Sequence, residues 1–475
     1  MTSEAIKTVV VSLELQNEFA TLSGDWNPMH MSFVAARRTP GGRPVVHGMH
    51  TVLFALESVA ASSPSLPLPS KLEVRFLKPV YLEETVAIHQ LERTYKELRL
   101  QAMVDGMPMA DLRIVLGDNH QPMASHPLTT DDRAVCRELA LTEMVGRSGT
   151  VPLATTPERI AAHFPNVVRW LGVDRVAALL SLSRLVGMEC PGLHSLFSGF
   201  AIEFPVAETT SCLQYHVASV DDRFRLLKIG VTGLGIRGRV EAFARHPPIF
   251  QVPIRELSGL VGPNEFGGQR ALIVGGSRGL GELTAKLLAA GGAYPTITYA
   301  VGRDDAQQVV EEIKRWGGEC ELLKYDVRAP SGQQLASLSR PVSYLYYYPT
   351  CQIHRRRTGR FASRILDEFL DFYVRGFYDL CVALRTSSEP GLSAFFPSSV
   401  AVEERPPDMT EYAMAKAAAE VLCTDLNQSW SGIHITTVRL PRLPTDQTAT
   451  LVPTQSADPI EVILPIVRRV QAVRF

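Results

Sequence analysis

The sequence predicts an α+β region made of two similar halves, followed by an α/β domain with a parallel sheet. Three observations predict it. Between Thr8 and Gly117 one apolar helical segment, VVHGMHTVLFALESVA, precedes four stretches in which apolar and polar residues alternate. Alternation of period two marks strands that bury one face. From about Thr129 to His246 the same grammar returns, and after Gly268 strand-like and helix-like segments alternate one for one, as in a parallel sheet covered by helices.

In the first half the alternating stretches are KLEVRFLKPV, TVAIHQLERTY, KELRLQAMVDG and MADLRIVLGD, a long helix against an antiparallel sheet. In the second, the helix-rich run PNVVRWLGVDRVAALLSLSRLVGM precedes LFSGFAIEFPV, SCLQYHVASV, RFRLLKIGVTG and RGRVEAFARH. LEVRFLKPVYLEETVAIH echoes GFAIEFPVAETTSCLQYH, aligning Phe76 with Phe204; this is a weak internal repeat, read as two copies of one fold. Polar, proline-bearing DNHQPMASHPLTTDD connects the halves, and RHPPIFQVPIRELSGLVGPNEFGG leads into the last block. The expected domains are 1–125, 126–255 and 256–475, in line with about one domain per ~150 residues.

Composition narrows the function classes. Net charge is −1, from 48 basic and 49 acidic residues, which gives no general attraction to nucleic acid or anionic membrane. No export signal is evident at the N-terminus and no run of ~18 apolar residues occurs, so a cytoplasmic protein without a membrane span is expected. Seven cysteines stand singly with no CxxC spacing, so neither a metal site nor a disulfide framework is expected. The basic runs Arg37-Arg38 and Arg355-Arg356-Arg357 read as solvated loop charge, although arginines also suit phosphates of CoA or a carrier protein.

ALIVGGSRGLGELTAKLL reads as a buried strand, a glycine-rich turn and a helix, with Gly275, Ser277, Arg278, Gly279 and Gly281 in the turn. A turn without Cβ atoms lets a pyrophosphate approach the backbone, and the helix N-terminus favours its charge. Further on, FFPSSV ends a buried strand at Ser399, and Tyr412 and Lys416 lie four apart on one helix face. An ammonium beside a phenol favours the phenolate, so Tyr412 could exchange a proton with an alcohol while Ser399 holds the oxygen. From about Gln269 onward the chain resembles the short-chain dehydrogenase/reductase family, with its Rossmann fold, on GxxxGxG and on a serine followed by YxxxK. The resemblance implies a cofactor loop at Gly275–Gly281, a catalytic Ser399-Tyr412-Lys416 set, and adenine contacts from Asp326 and Val327. Arg278 and Arg303, with no carboxylate ending the second strand, favour a 2′-phosphate and hence NADPH over NADH. The chain departs from that family where NNAG is replaced by YYYPT (Tyr346 to Thr350), where a helix asparagine is replaced near Tyr373, and where no final strand follows QAVRF.

GDWNPMH places Asp25 five residues before His30. Alone this is a turn with a capping acid and a surface histidine. Together with VVHGM, which opens a helix at Gly48, it resembles the MaoC-like (R)-specific enoyl-CoA hydratases, which have the hotdog fold. Syn addition or loss of water across a thioester-conjugated double bond needs an acid, a base and a water on one face, which Asp25 and His30 can supply. The Gly48 N–H, at a helix start, suits the developing enolate oxygen. His47 and His50 read as packing residues, a supporting serine is expected near Leu56 with Ser58 the closest candidate, and the second half, without an acid–histidine pair, is expected to be non-catalytic. The combined reading is a double hotdog fused to a reductase: a 3-oxoacyl thioester reductase and (3R)-hydroxyacyl dehydratase, acting on acyl-CoA or acyl-carrier thioesters in a fatty-acid-like or polyketide pathway, as a homo-oligomer. The alternatives are the reverse, degradative flow, and a dehydratase with a non-catalytic docking domain.

Overall fold

In a computed structural model the chain is described for residues 5–117, 135–205, 210–354, 361–385, 388, 391–450, 454–473 and 475. The connection DNHQPMASHPLTTDD between the halves and Arg355-Arg356-Arg357 lie outside the described residues. Two compact units are present: Met1–Pro247 with Thr450–Pro453, and Pro248–Ala449 with Thr454–Phe475. Among the described residues no helix is long and apolar enough to cross a membrane.

The first unit is built on one ten-stranded sheet of order β1-β3-β4-β5-β2-β7-β10-β9-β8-β6. The strands are β1 Ala5–Val10, β2 Pro69–Phe76, β3 Thr85–Arg93, β4 Glu97–Val104, β5 Met107–Leu116, β6 Ser148–Val151, β7 Ser195–Glu203, β8 Leu213–Asp221, β9 Leu226–Gly233 and β10 Ile236–Ala244. The order on one side of the seam repeats on the other, each half running from a short outer strand to the strand that follows its long helix. The seam is the antiparallel pair β2–β7, in which Val74 faces Phe200 and Lys71 faces Glu203. Alternation explains the sheet: in β4, Leu98, Leu100, Ala102 and Val104 are buried and their neighbours are not.

The helix Gly48–Ser62 lies on the first half, burying Met49, Val52, Leu53, Leu56 and Val59, each worth roughly 1.5–3 kcal/mol when fully removed from water. The helix-rich run of the second half is not one helix. It divides at Gly172, whose φ is 87°, into Pro165–Leu171 and Val173–Arg184, and ends in a π-helical turn Leu185–Glu189. The outermost strands β1 and β6 carry little apolar alternation, because edge strands bury little, and the sequence pattern did not reveal them.

The second unit holds a six-stranded parallel sheet of order β13-β12-β11-β14-β15-β16: β11 Arg270–Val274, β12 Tyr294–Tyr299, β13 Glu321–Lys324, β14 Tyr344–Tyr347, β15 Leu392–Ser399 and β16 Ile433–Leu440. Consecutive residues of β11 go to opposite cores: Ile273 packs with Leu283, Leu287 and Val467, whereas Leu272 and Val274 pack with Leu345, Phe377 and Ala415. A strand covered on both faces must be apolar throughout, as ALIV is. The segment 248–268 packs onto this unit. The Ile254 N–H donates to Glu312 Oε1 (2.8 Å), and the buried Lys286 pairs with Glu282 (2.7 Å) and Glu312 (2.9 Å).

Candidate active sites

In the first unit the helix Leu13–Ser23 stops at Gly24, in the left-handed region at φ 73°, whose N–H donates to Ala20 O at 2.8 Å. The chain then turns through Asp25. Asn27 caps the short helix Pro28–Met31, its side-chain oxygen accepting from Met29 N (3.0 Å), and this cap brings His30 back beside Asp25. The His30 Nδ1 lies 2.7 Å from Val45 O; a carbonyl only accepts, so Nδ1 carries the proton and Nε2 is left for chemistry. Gln16 Nε2 donates to His30 O (3.3 Å) and to Val45 O (2.8 Å), tying the GDWNPMH turn to the strand-like lead into VVHGM. By the same reasoning His47 Nε2 donates to Asp25 O (2.9 Å); it also lies 3.8 Å from Asp25 Oδ2. The His30 and His47 rings stack with centroids 4.0 Å apart.

One oxygen of Asp25 and one nitrogen each of His30 and His47 lie within 4.8 Å of one another. This is metal-ligand spacing, but the N–H that His47 Nε2 gives to a carbonyl leaves that nitrogen no lone pair for a cation. Asp25 is buried, and burial raises its carboxyl above the usual range against the opposing pull of His30, the Ser183 hydroxyl and the Asn27 N–H. Burial holds His47 well below its ordinary value, so it is a neutral donor at pH 7. His50, stacked on Phe19 at 4.6 Å, is pulled down to about 3 by burial and serves as packing.

Part of this site comes from the second half. The Ser183 hydroxyl donates to Asp25 Oδ2 at 2.7 Å, and Asn27 Nδ2 donates to Gly187 O (2.8 Å) and Gly192 O (3.1 Å). Gly187 must be glycine, because a Cβ there would lie 2.2 Å from Asp25 Oδ1. The sequence pointed instead to Ser58, but its hydroxyl donates to Phe54 O within its own helix (2.6 Å). Nothing in the pattern around Ser183 singles it out, since its partner is 158 residues away. Replacing Ser183 by alanine is expected to lower hydration or dehydration about tenfold, the worth of one hydrogen bond to a charged group. It also removes an influence that lowers the Asp25 pKa, so the Asp25-dependent limb of the pH–rate profile moves to higher pH. A profile that does not move rejects the contact as functional.

Gly48 is the first residue of its helix, so its N–H has no acceptor within the helix. A Cβ at Gly48 would lie 2.8 Å from the Phe76 ring, so the ring can pack against this helix start only because the residue there is glycine.

In the second unit the glycine-rich turn follows β11. Gly275 has φ 80°, and a Cβ on Gly281 would sit 2.3 Å from Gly275 O, so the helix Gly279–Ala290 can back onto the turn only without side chains there. This is a cradle of the kind a pyrophosphate fits. Ser277 is buried within it. Arg278 Nη1 pairs with Asp446 Oδ2 at 2.8 Å, and Asp446 Oδ1 accepts from Ile249 N (2.9 Å). Arg303 is exposed at the first turn of the helix that follows β12. The Asp326 carboxylate is engaged by Arg328 (2.8 Å), which holds its pKa down, and Val327 packs in a core. Arg278 and Asp326 are therefore both partnered inside the chain.

Ser399 ends β15, its hydroxyl accepts from Ala401 N (3.2 Å), and it lies near enough to Tyr412 to lower that phenol's pKa against burial. Tyr412 and Lys416 share one face of the helix Thr410–Ser429. Burial pushes Tyr412 up to about 12 and pulls Lys416 down to about 7. Lys416 Nζ donates to Pro397 O (2.6 Å) and lies 3.8, 4.9 and 5.8 Å from the ring centroids of Tyr373, Phe396 and Tyr412. The YYYPT departure is explained by packing: Tyr346 accepts from Gln471 (2.9 Å), Tyr347 donates to Phe372 O (2.5 Å), Tyr348 bonds Thr284 (2.6 Å) and Thr350 bonds Tyr373 (2.5 Å). Their hydroxyls tie β14 and the turn after it to the helices Gly279–Ala290 and Pro459–Gln471 and to the helical segment Asp371–Arg375.

Comparison with known proteins agrees with this division. A family model described as MaoC like domain matches residues 1–103, and one described as short chain dehydrogenase matches residues 269–343. An uncharacterized oxidoreductase, YgfF, of Escherichia coli (strain K12) is 26% identical over 183 residues, 36% of this chain and 74% of that protein. A short-chain dehydrogenase/reductase of Pestalotiopsis microspora is 37% identical over 65 residues, 14% of this chain and 24% of that protein. Among solved structures, a short chain dehydrogenase from Burkholderia cenocepacia J2315 in complex with NADP is 23% identical, with a TM-score of 0.39, covering 44% of this chain and 95% of that one. The chain thus carries a MaoC-like domain toward its start and a short-chain dehydrogenase domain toward its end.

Proposed function

We propose that the chain is a bifunctional enzyme that reduces a 3-oxoacyl thioester and then dehydrates the (3R)-hydroxyacyl product to the trans-2-enoyl thioester. In this reading residues 1–125 form a hotdog with the acid–base pair, 126–255 a second hotdog that supports it, and 256–475 a Rossmann-fold reductase. The observation that carries the dehydratase half is the pairing of a buried, pKa-raised Asp25 with a His30 whose Nε2 is free. His30 Nε2 takes the C2 proton, and the thioester oxygen gathers the electron pair as an enolate held by the Gly48 N–H. Asp25 hands its proton to the C3 hydroxyl, which leaves as water as the double bond forms. Ser183 and His47 hold Asp25 in place.

In the reductase half the glycine cradle and Arg278 fit NADPH, which when bound supplies the hydride. Ser399 holds the ketone oxygen, Tyr412 gives it a proton, and the Lys416 ammonium stabilises the phenolate left on Tyr412 until a proton from solvent replaces the one given up. NADPH in place of NADH is supported by Arg278 and Arg303 and favours the reductive, biosynthetic direction. Because Asp446 already pairs with Arg278, a 2′-phosphate has to displace a carboxylate. Arg278→Ala is expected to raise the KM for NADPH about tenfold or more while leaving that for NADH nearly unchanged, read from initial rates with both cofactors. Equal effects on the two would remove the 2′-phosphate assignment.

The test of the whole reading is a coupled assay on a short 3-oxoacyl-CoA, repeated on carrier-bound substrate, following NADPH loss and enoyl formation. A second reading, a dehydratase with a non-catalytic reductase-like domain, is favoured by Lys416 being turned onto Pro397 O and by Arg278 and Asp326 being already paired. It predicts interconversion of enoyl and hydroxyacyl thioesters with no NADPH consumed.

A further inference from the structure

We infer that the second half of the N-terminal unit contains an oxyanion-binding site at the start of the helix Val173–Arg184, in which Arg175 receives a carboxylate or phosphate group. Arg175 lies in the first turn of that helix and is only 5% exposed. Its Nε and Nη1 are buried with no acceptor. Burial lowers its pKa, and the neighbouring acid of the same first turn, Asp174, is buried as well. Two other cations are provided for: the buried Lys286 has Glu282 and Glu312, and the half-buried Arg245 donates to Ser195 O (3.2 Å) and Leu193 O (3.5 Å). A desolvated, unpartnered guanidinium is unfavourable in the empty protein and is a strong receptor for an anion.

The surroundings suit an anion. Side chains in a first helical turn lean toward the helix N-terminus, where free N–H groups and the helix dipole add positive potential. No side chain caps this helix, and the Gly172 cap, at φ 87°, has nothing within 4 Å of where a Cβ would be, so there is room at the helix start. Phe204 presents its ring to the guanidinium, centroid 5.4 Å from Cζ. The repeat of strand order gives this place a counterpart. In the first half a helix start, Gly48, is faced by Phe76 from the end of β2; in the second, a helix start is faced by Phe204, next after β7. The second half lacks the acid and histidine but keeps the arrangement that receives negative charge, with a cation added.

The test is isothermal titration of the full-length protein with inorganic phosphate and, separately, glutarate, at fixed ionic strength, using wild type, Arg175→Met and Arg175→Lys. Saturable binding by wild type is expected, at least tenfold weaker with Arg175→Met and intermediate with Arg175→Lys, whose ammonium keeps the charge but not the planar fork. Arg175→Met is also expected to unfold at a higher temperature than wild type in anion-free buffer, since the unpaired charge is gone. Preference for phosphate over glutarate points to a phosphate-bearing arm of the ligand, and the reverse points to a carboxylate on an acyl chain. No saturable binding to wild type, or binding that survives unchanged in Arg175→Met, overturns the assignment. If Arg175→Met does not fold, unchanged affinity in Arg175→Lys overturns it alone.

Discussion

Asp25→Asn is expected, on the proposed function, to stop the reaction at the hydroxyacyl thioester, with NADPH still consumed and enoyl product lowered about 10³-fold, within the range that one positioned acid–base group supplies. The amide occupies the same space and can still face Ser183 and the Asn27 N–H, so the loss reports proton transfer and not collapse of the turn. The variant is also expected to be at least as stable as wild type at pH 7. The sign follows from burial. The folded-state pKa of Asp25 lies above its unfolded value, so its favourable contribution is present at acid pH, below the unfolded pKa, and is lost as pH rises through the folded pKa. The neutral amide escapes that loss, and its advantage over wild type therefore shrinks on acidification. Thermal unfolding at pH 7 and near pH 4, alongside the dehydration rate, checks both parts. A variant that loses activity and stability together at pH 7 would show that Asp25 is a structural residue.

Tyr412→Phe has the second largest expected effect. Reduction falls by about 10³-fold, while interconversion of enoyl and hydroxyacyl thioesters is unchanged, because the reductase half contributes nothing to that step. The cost in stability is small, about 1 kcal/mol, since only a hydroxyl is removed and the ring keeps its packing against Phe369 and Tyr373. Lys416→Met extends the test through pH. Burial sets the folded-state pKa of Lys416 near about 7, below its ordinary 10.5, so its stabilising contribution is present above the unfolded pKa and is lost as pH falls through about 7. Wild-type stability should thus rise between about pH 7 and 10.5 by an amount that Lys416→Met abolishes. Retained NADPH oxidation in Tyr412→Phe would transfer the proton-donor role elsewhere.

Much of this molecule was legible because its signals are local. Period-two alternation in β4 and the unbroken apolar run of β11 each report which faces a strand buries, and both reflect short-range geometry. The GDWNPMH turn, the helix opening at Gly48, the glycine cradle and the Ser399, Tyr412 and Lys416 spacing are likewise carried by neighbouring residues or by one turn of helix. The break at Gly172 was less visible, because PNVVRWLGVDRVAALL is apolar enough on both sides to look like one helix, and only the positive φ separates them. Edge strands β1 and β6 escaped because an edge buries too little to impose a pattern.

What the sequence determined by itself was the identity of the chemically able groups and the elements that hold them, since backbone propensity, caps and periodicity act over a few residues. The tertiary structure alone decided who faces whom. It brought Ser183 and the space at Gly187 to Asp25 across more than 150 residues, paired Arg278 with Asp446, laid Lys416 over Tyr373 and left Arg175 buried without an acceptor. Such contacts arise from the packing of elements distant in sequence, and a single hydroxyl, a missing Cβ or an unpaired guanidinium leaves no periodic trace along the chain.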